Sequence, residues 1–285
     1  MVLSTRESMA DAYIVVLDAA ADSVRVMLFD SEARRVEGYG AQLPQRADAA
    51  ADCLDEMHRL VCASGLRVGA VVGRAESEVT AEDRSFWPAF KDAAWFPALP
   101  DGAGAMLGSG CIGRESLSLT LGGKSMLGTV VESPVELKGL TCVAIDARRW
   151  MLSGMVPEAG AAYLDLKRAA KGSVEKYMEN AAEGDPVVAG IESAGLGFRR
   201  VYELLAASQI LDSHVLGSHM IACGAALLKS PTLAQRLADS MGVSLTLSTE
   251  LEPGYRGSAL WALERIGAIA DLGVLPASIV NLDTK

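Results

Sequence analysis

Short continuous apolar runs open the chain and give way to apolar residues at helical spacing, and this change of period predicts the first elements. YIVVLD at 13–18 and SVRVMLFD at 23–30 read as paired strands. A third strand over Val36–Leu43 completes an antiparallel meander. Asp48 then caps a helix whose Cys53, Leu54, Met57, Leu60 and Val61 share one face, and Gly65 ends it. Val68–Val72 suits a buried strand. Residues 74–97 read as a polar connection followed by an aromatic segment with Trp87, Phe90, Trp95 and Phe96. That segment either packs over an open sheet edge or presents an aromatic patch to a ligand.

Beyond residue 100 the pattern predicts strands at 116–121, 125–131, 141–146 and 150–155. Helices follow at 158–170, 173–182, 193–208, 230–241 and 256–271, with short strands at 216–222 and 244–248. Strands mixed with helices in both halves give an α/β class, and no repeat of fixed period is visible.

Half of the 285 residues are hydrophobic, 22% are charged and 5% are aromatic, so a core of aliphatic residues and methionine is expected. So apolar a balance also suits a buried subunit interface, which makes a homo-oligomer an expectation. A formal charge of −10 argues against nucleic acid and anionic membranes as partners, since both require a cationic face. The apolar runs are far shorter than the roughly 20 residues that cross a bilayer, and the N-terminal stretch has no apolar signal core. A cytoplasmic location is therefore expected. Five cysteines without a CxxC pair point to reduced thiols, not to a disulfide framework or a zinc site. His58, His214 and His219 are scattered and suggest neither a metal nor a nucleophile site.

The segment LPDGAGAMLGSGCIGRESLSLTLGGKSML, 99–127, carries the most chemistry. Asp101 stands before a glycine-rich helix start, the alternation Leu117, Leu119, Leu121 reads as a half-buried strand, and Gly122-Gly123 suits a two-residue hairpin turn. Backbone amides at such a turn can cradle an anion. With YIVVLDAAADSVRVMLFD at 13–30, SAGLGFRRVYELLA at 193–206, ACGAALLKSPTLAQRLADSMG at 222–242 and ELEPGYRGSALWALERIG at 250–267, this segment resembles the FGGY carbohydrate kinases, the gluconokinase-like branch most closely.

That resemblance implies an actin-like ATPase (ribonuclease H-like) fold: two lobes with mixed sheets flanked by helices, the first reduced. The lobes would be a reduced N-terminal one at 1–100 and a C-terminal one with the nucleotide site at 101–285. It implies ATP-dependent phosphoryl transfer to a sugar or polyol hydroxyl, with Mg²⁺. Asp101 falls at the place of the proton-accepting base, although an Asp before a helix is equally a cap. Asp18 matches the aspartate that organises Mg²⁺ through water, or is a plain turn residue. Gly122, Gly123, Lys124 and Ser125 correspond to a phosphate turn, with Lys124 able to pair with a phosphate. Cys223, Gly224 and Ala225 fall where the family sets small residues against adenine and ribose, or serve tight packing.

Two departures qualify the match. Ala19-Ala20-Ala21-Asp22 replaces the family's Gly-Thr in the first phosphate turn, where glycine supplies positive φ, and alanine in a left-handed conformation costs roughly 1 kcal/mol or more. The part of the first lobe that holds the sugar is missing between LRVGAVVG at 66–73 and Asp101. A noncatalytic pseudokinase, retaining the scaffold for binding or assembly, is therefore the alternative to an active kinase.

Overall fold

The computed structural model describes residues 12–20, 22–211 and 220–282. The chain divides into two compact units, residues 1–99 with 254–276 and residues 100–253 with 277–285.

In the first unit β1 (Tyr13–Ala19), β2 (Ser23–Phe29) and β3 (Arg35–Pro44) form the meander, followed by α1 (Ala49–Ser64) and β4 (Val68–Val72). A short helix, α2 (Ala81–Phe86), and a three-residue strand, β5 (Ala94–Phe96), complete this stretch. The sheet order is β3-β2-β1-β4-β5, with β1, β4 and β5 parallel and the meander antiparallel. The apolar stripe of α1 explains its position. Cys53, Leu54, Met57 and Val61 are fully buried in one cluster with Val15, Leu17, Val24, Val26 and Leu28. Each such large apolar side chain contributes about 1.5–3 kcal/mol on burial. Gly65 ends the helix at φ +65, a left-handed cap that glycine adopts without a Cβ clash. Asp48 occupies the N-cap position, but its side chain makes no capping bond.

The aromatic segment joins that core. Trp87, Phe90 and Trp95 are buried together, with ring centroids 6.0 Å (Trp87 to Trp95) and 6.3 Å (Phe90 to Trp95) apart. Trp87 Nε1 donates to Asp55 at 2.6 Å. The polar connection thus ends in a strand that extends the sheet beside β4.

The second unit begins with α3 (Ala103–Ser109), β6 (Leu117–Thr120), β7 (Met126–Val131), β8 (Thr141–Ala144) and β9 (Trp150–Met155). Three helices, α4 (Pro157–Ala170), α5 (Val174–Asn180) and α6 (Pro186–Ala207), precede β10 (Met220–Cys223). Then come α7 (Ala225–Lys229), α8 (Pro231–Met241), β11 (Leu245–Ser248), α9 (Pro253–Arg265) and β12 (Ile279–Leu282). The seven-stranded sheet runs β12-β11-β10-β6-β7-β9-β8. Its inner five strands, β9-β7-β6-β10-β11, repeat the order and pairing senses of the first sheet. Helix α6 starts at Pro186, seven residues earlier than the periodicity indicates, because Asp185 caps it by accepting from Val187 N at 2.8 Å and Val188 N at 3.1 Å. Phe198, Ile191 and Leu205 of α6 are fully buried in the cluster that also holds Leu119, Leu127 and Leu152 of the sheet.

Apart from its first residue, α9 belongs to the first unit, whereas a division at residue 100 assigns it to the second lobe. Trp261 meets Phe96 edge-on at 5.3 Å, and Arg256 donates to Leu275 O at 2.8 Å. Among the described residues no helix is long and apolar enough to cross a membrane.

Candidate nucleotide and phosphate site

The carboxyl ends of two neighbouring parallel strands, β6 and β10, bring the sequence-selected segments of the second unit together. Thr120 closes β6 directly opposite Cys223 at the end of β10. The loops that follow meet through their backbones. Gly224 has φ +119, and a Cβ there would lie 3.1 Å from Leu121 O, so glycine lets the two chains touch. The first unit has the same device, since Gly73 follows β4 at φ +118 against Leu17 O.

The loop after β6 is not the two-residue turn that Gly122-Gly123 suggests. Thr120 pairs with Met126, leaving residues 121–125 as a five-residue loop, and neither glycine has positive φ. Ser125 replaces the tight-turn chemistry: Gly122 N donates to its hydroxyl at 3.2 Å, and that hydroxyl donates to Gly122 O at 2.9 Å. Ser125 O accepts from Val156 N at 2.9 Å, which ties the loop to the start of α4. Gly160, in the first turn of α4, lies against the carbonyls of Gly123 and Gly122, where a Cβ would come within 2.9 and 3.2 Å. Gly123 and Lys124 are exposed, and their amides carry no hydrogen bond among the described residues. Free amides beside the N-terminus of a 14-residue helix favour an anion, because both present positive dipole ends.

Asp101 is brought to this loop. Gly102, at φ +84, is the N-cap of α3 and makes no side-chain capping bond, so the capping alternative for Asp101 is not realised. Instead its carboxylate pairs with Lys124 Nζ. The side chains are 79% and 68% exposed, so the pair contributes little to stability and mainly sets the two groups side by side.

The residues 223–225 divide in role. Cys223 turns its thiol inward, 3.4 Å from Thr120 Oγ1, and burial pushes the thiol up. Only its backbone borders the loop. Ala225 instead lines a cavity of about 490 Å³ together with Ala226, Tyr163, Lys167 and Glu175. Helix α4 links the two features, since Gly160 touches the loop while Tyr163 and Lys167, further along, line the cavity. Lys167 Nζ lies 5.8 Å from the Tyr163 ring centroid. Burial pushes the Glu175 carboxyl up, but hydrogen bonds from Ser230 Oγ (2.5 Å), Thr232 Oγ1 (2.7 Å) and Thr232 N outweigh it and hold the group below its ordinary range. Sequence reasoning missed these lining residues. The spacing of Tyr163 and Lys167, one helical turn apart, was the available signal.

Asp18 lies in the first unit, exposed at the end of β1, where its Oδ2 accepts from Tyr255 OH at 3.2 Å. Ala19 and Ala20 do not take positive φ, so the strain expected of alanine in this turn is absent from both; Ala21 lies outside the described residues. Ala20 N closes the hairpin on Ser23 O at 2.9 Å. One exposed carboxylate suits Mg²⁺, which usually keeps several waters and shares one or two carboxylates with phosphate oxygens. His214 and His219 also lie outside the described residues.

Solved structures of similar shape place this geometry in context. Gluconate kinase from Lactobacillus acidophilus matches over 95% of this chain and 93% of its own, with a TM-score of 0.66 and 12% identity. Xylulose kinase from Rhodospirillum rubrum matches over 96% and 94%, at 0.65 and 12%. Glycerol kinase from Plasmodium falciparum, solved with ADP, matches over 96% and 95%, at 0.65 and 8%. The chain has the actin-like ATPase fold of these sugar kinases. At such identities the likeness is one of fold. No family model matches the sequence, and no curated protein matches it. Within this fold the loop 121–125 and the cavity beside Ala225 sit at the carboxyl ends of parallel strands, where open α/β sheets bind their ligands.

Proposed function

We propose that the chain is an FGGY-like carbohydrate kinase that transfers a phosphoryl group from ATP to a sugar or polyol hydroxyl. The observation that carries this reading is the Asp101–Lys124 pair at a loop with free amides, next to a cavity lined by Ala225 and Tyr163. At about 490 Å³ the cavity falls within the range of sites for small organic ligands. In this proposal the adenosine lies against Ala225, Ala226 and the Tyr163 ring, and the phosphates meet the amides of Gly123 and Lys124. Lys124 exchanges Asp101 for a phosphate oxygen, and the freed carboxylate accepts the proton of the substrate hydroxyl. Mg²⁺ would supply charge neutralisation of the phosphates, and Asp18 is the carboxylate that the family resemblance assigns to it.

The alternative is a noncatalytic pseudokinase of the same fold, acting as a binding or assembly module. It is favoured by Ala19 and Asp22, which stand in the first turn where the family has Gly-Thr and add a carboxylate there. Calorimetric titration with Mg·ATP, followed by ADP release against a panel of sugars and polyols, separates the two. Binding with sugar-dependent ADP release supports the kinase, whereas binding without release, or no nucleotide binding by a folded chain, supports the module.

A further inference from the structure

We infer that the first unit carries a small-anion site on the outer part of its sheet, built on Arg35, Arg25 and Gln42. The site rests on a defect in strand pairing. Met27 pairs with Gly40 and Phe29 pairs with Arg35, so the single residue Leu28 of β2 faces four residues of β3, Val36–Tyr39. Gly38 in this bulge has φ +81, a conformation that suits glycine. Bulges re-aim side chains and bend the strand that carries them. Here the bulge borders a cavity of about 260 Å³ whose lining includes Arg25, Met27, Arg35, Gly40 and Gln42.

Register puts the polar groups on one face. Arg25 is directly opposite Gln42, and Met27 is opposite Gly40, two residues along on each strand. This is the face away from Val24, Val26 and Leu28, which pack with α1. Gly40 lets the strands approach closely beside Met27, since a Cβ there would lie 3.1 Å from Val26 O.

Charge identifies the ligand. The chain has a formal charge of −10, yet the charged residues lining this cavity are both arginines. The neighbouring Arg34 takes Asp30 at 3.0 Å and Glu32 at 2.8 Å, while Arg25 lies directly opposite Asp18 of β1, which leaves Arg35 as the guanidinium that carries the site. Arg35 has no side-chain hydrogen bond or ion pair among the described residues, and its guanidinium fork is available for bidentate recognition of an oxyanion. Gln42 adds an amide that can bond a hydroxyl, and Met27 an apolar floor. The cavity lies just under the range of drug-sized pockets. The ligand class is therefore a small molecule bearing a carboxylate or phosphate. The nucleotide cavity belongs to the other unit, and this site stands whether or not that reading holds.

Backbone amide NMR of the whole chain tests it, with inorganic phosphate and malonate titrated separately against sodium chloride at equal ionic strength. Saturable shifts confined to residues 25–27 and 35–42 are expected with at least one of the two, and whichever binds tighter decides the headgroup. Arg35→Ala should weaken binding by about fivefold or more, and Gln42→Glu should weaken it by its added charge. Arg59→Ala, on the exposed face of α1, should leave it unchanged. Equal shifts with chloride, or undiminished binding by Arg35→Ala, would overturn the assignment. Mg·ADP binding by Arg35→Ala should match that of the parent chain, which separates this site from the nucleotide reading.

Discussion

Two glycines on neighbouring helices should respond to alanine in opposite directions. In a helix interior Gly→Ala stabilises by about 1 kcal/mol, because glycine loses more backbone entropy on folding. At Gly190 in α6 a Cβ would meet only the Ala162 Cβ at 3.7 Å, an ordinary contact, so the full gain of about 1 kcal/mol is expected. At Gly160 in α4 the Cβ would lie 2.9 Å from Gly123 O and 3.2 Å from Gly122 O. Those atoms are backbone, and Ser125 holds their loop through Val156, so helix or loop must shift. Overpacking of this kind costs about 1–3 kcal/mol, which turns the same propensity gain into a net change between about 0 and −2 kcal/mol. Urea denaturation at constant m-value measures the difference as a shift in midpoint. Gly160→Ala stabilising as much as Gly190→Ala would refute the contact between loop and helix on which the phosphate site depends.

Three further outcomes follow from the site and its surroundings. Asp101→Asn should abolish phosphotransfer while leaving the melting temperature nearly unchanged, because its partner Lys124 is exposed and no helix cap is lost; a clear drop in melting temperature without activity to lose contradicts the catalytic role. Gly224→Ala should destabilise by about 1–3 kcal/mol, since φ +119 is a glycine conformation, and unchanged stability in a thermal melt would mean that the junction with Leu121 relaxes freely. Burial pushes the Cys111 thiol from 9.0 to about 12, so it stays protonated when folded while the unfolded thiol ionises. Its contribution is therefore intact below pH 9 and lost as pH rises toward 12, and Cys111→Ala should flatten that alkaline limb of the stability profile.

Hydrophobic period was enough to place the meander, α1 and β4, because each buries a face whose spacing the sequence displays. Edge elements were harder. The three residues of β5 and the four of β12 are too short to show a period, and they exist by pairing with β4 and β11. The early start of α6 was legible in Asp185-Pro186, a cap followed by proline at the first helical position. Gly122-Gly123 misled for a different reason. The dipeptide permits positive φ without requiring it, and the Ser125 hydroxyl closed a wider loop instead. At the site, strand alternation sets Cys223 on the opposite face from the core residue Ala222, and the burial of its thiol against Thr120 and Ser118 follows from packing that the period does not display. The meeting of Asp101 with Lys124 could not, since 23 residues and two elements, α3 and β6, separate them.

The most direct test of the central claim, that the second unit holds a nucleoside phosphate between its loop and its cavity, is calorimetry of Mg·ADP with the parent chain and with Lys124→Met. Saturable one-to-one binding, weakened about tenfold in the variant by loss of a charge-assisted contact, is the expected result. Absence of binding at millimolar nucleotide, or equal affinity in the two proteins, would contradict it.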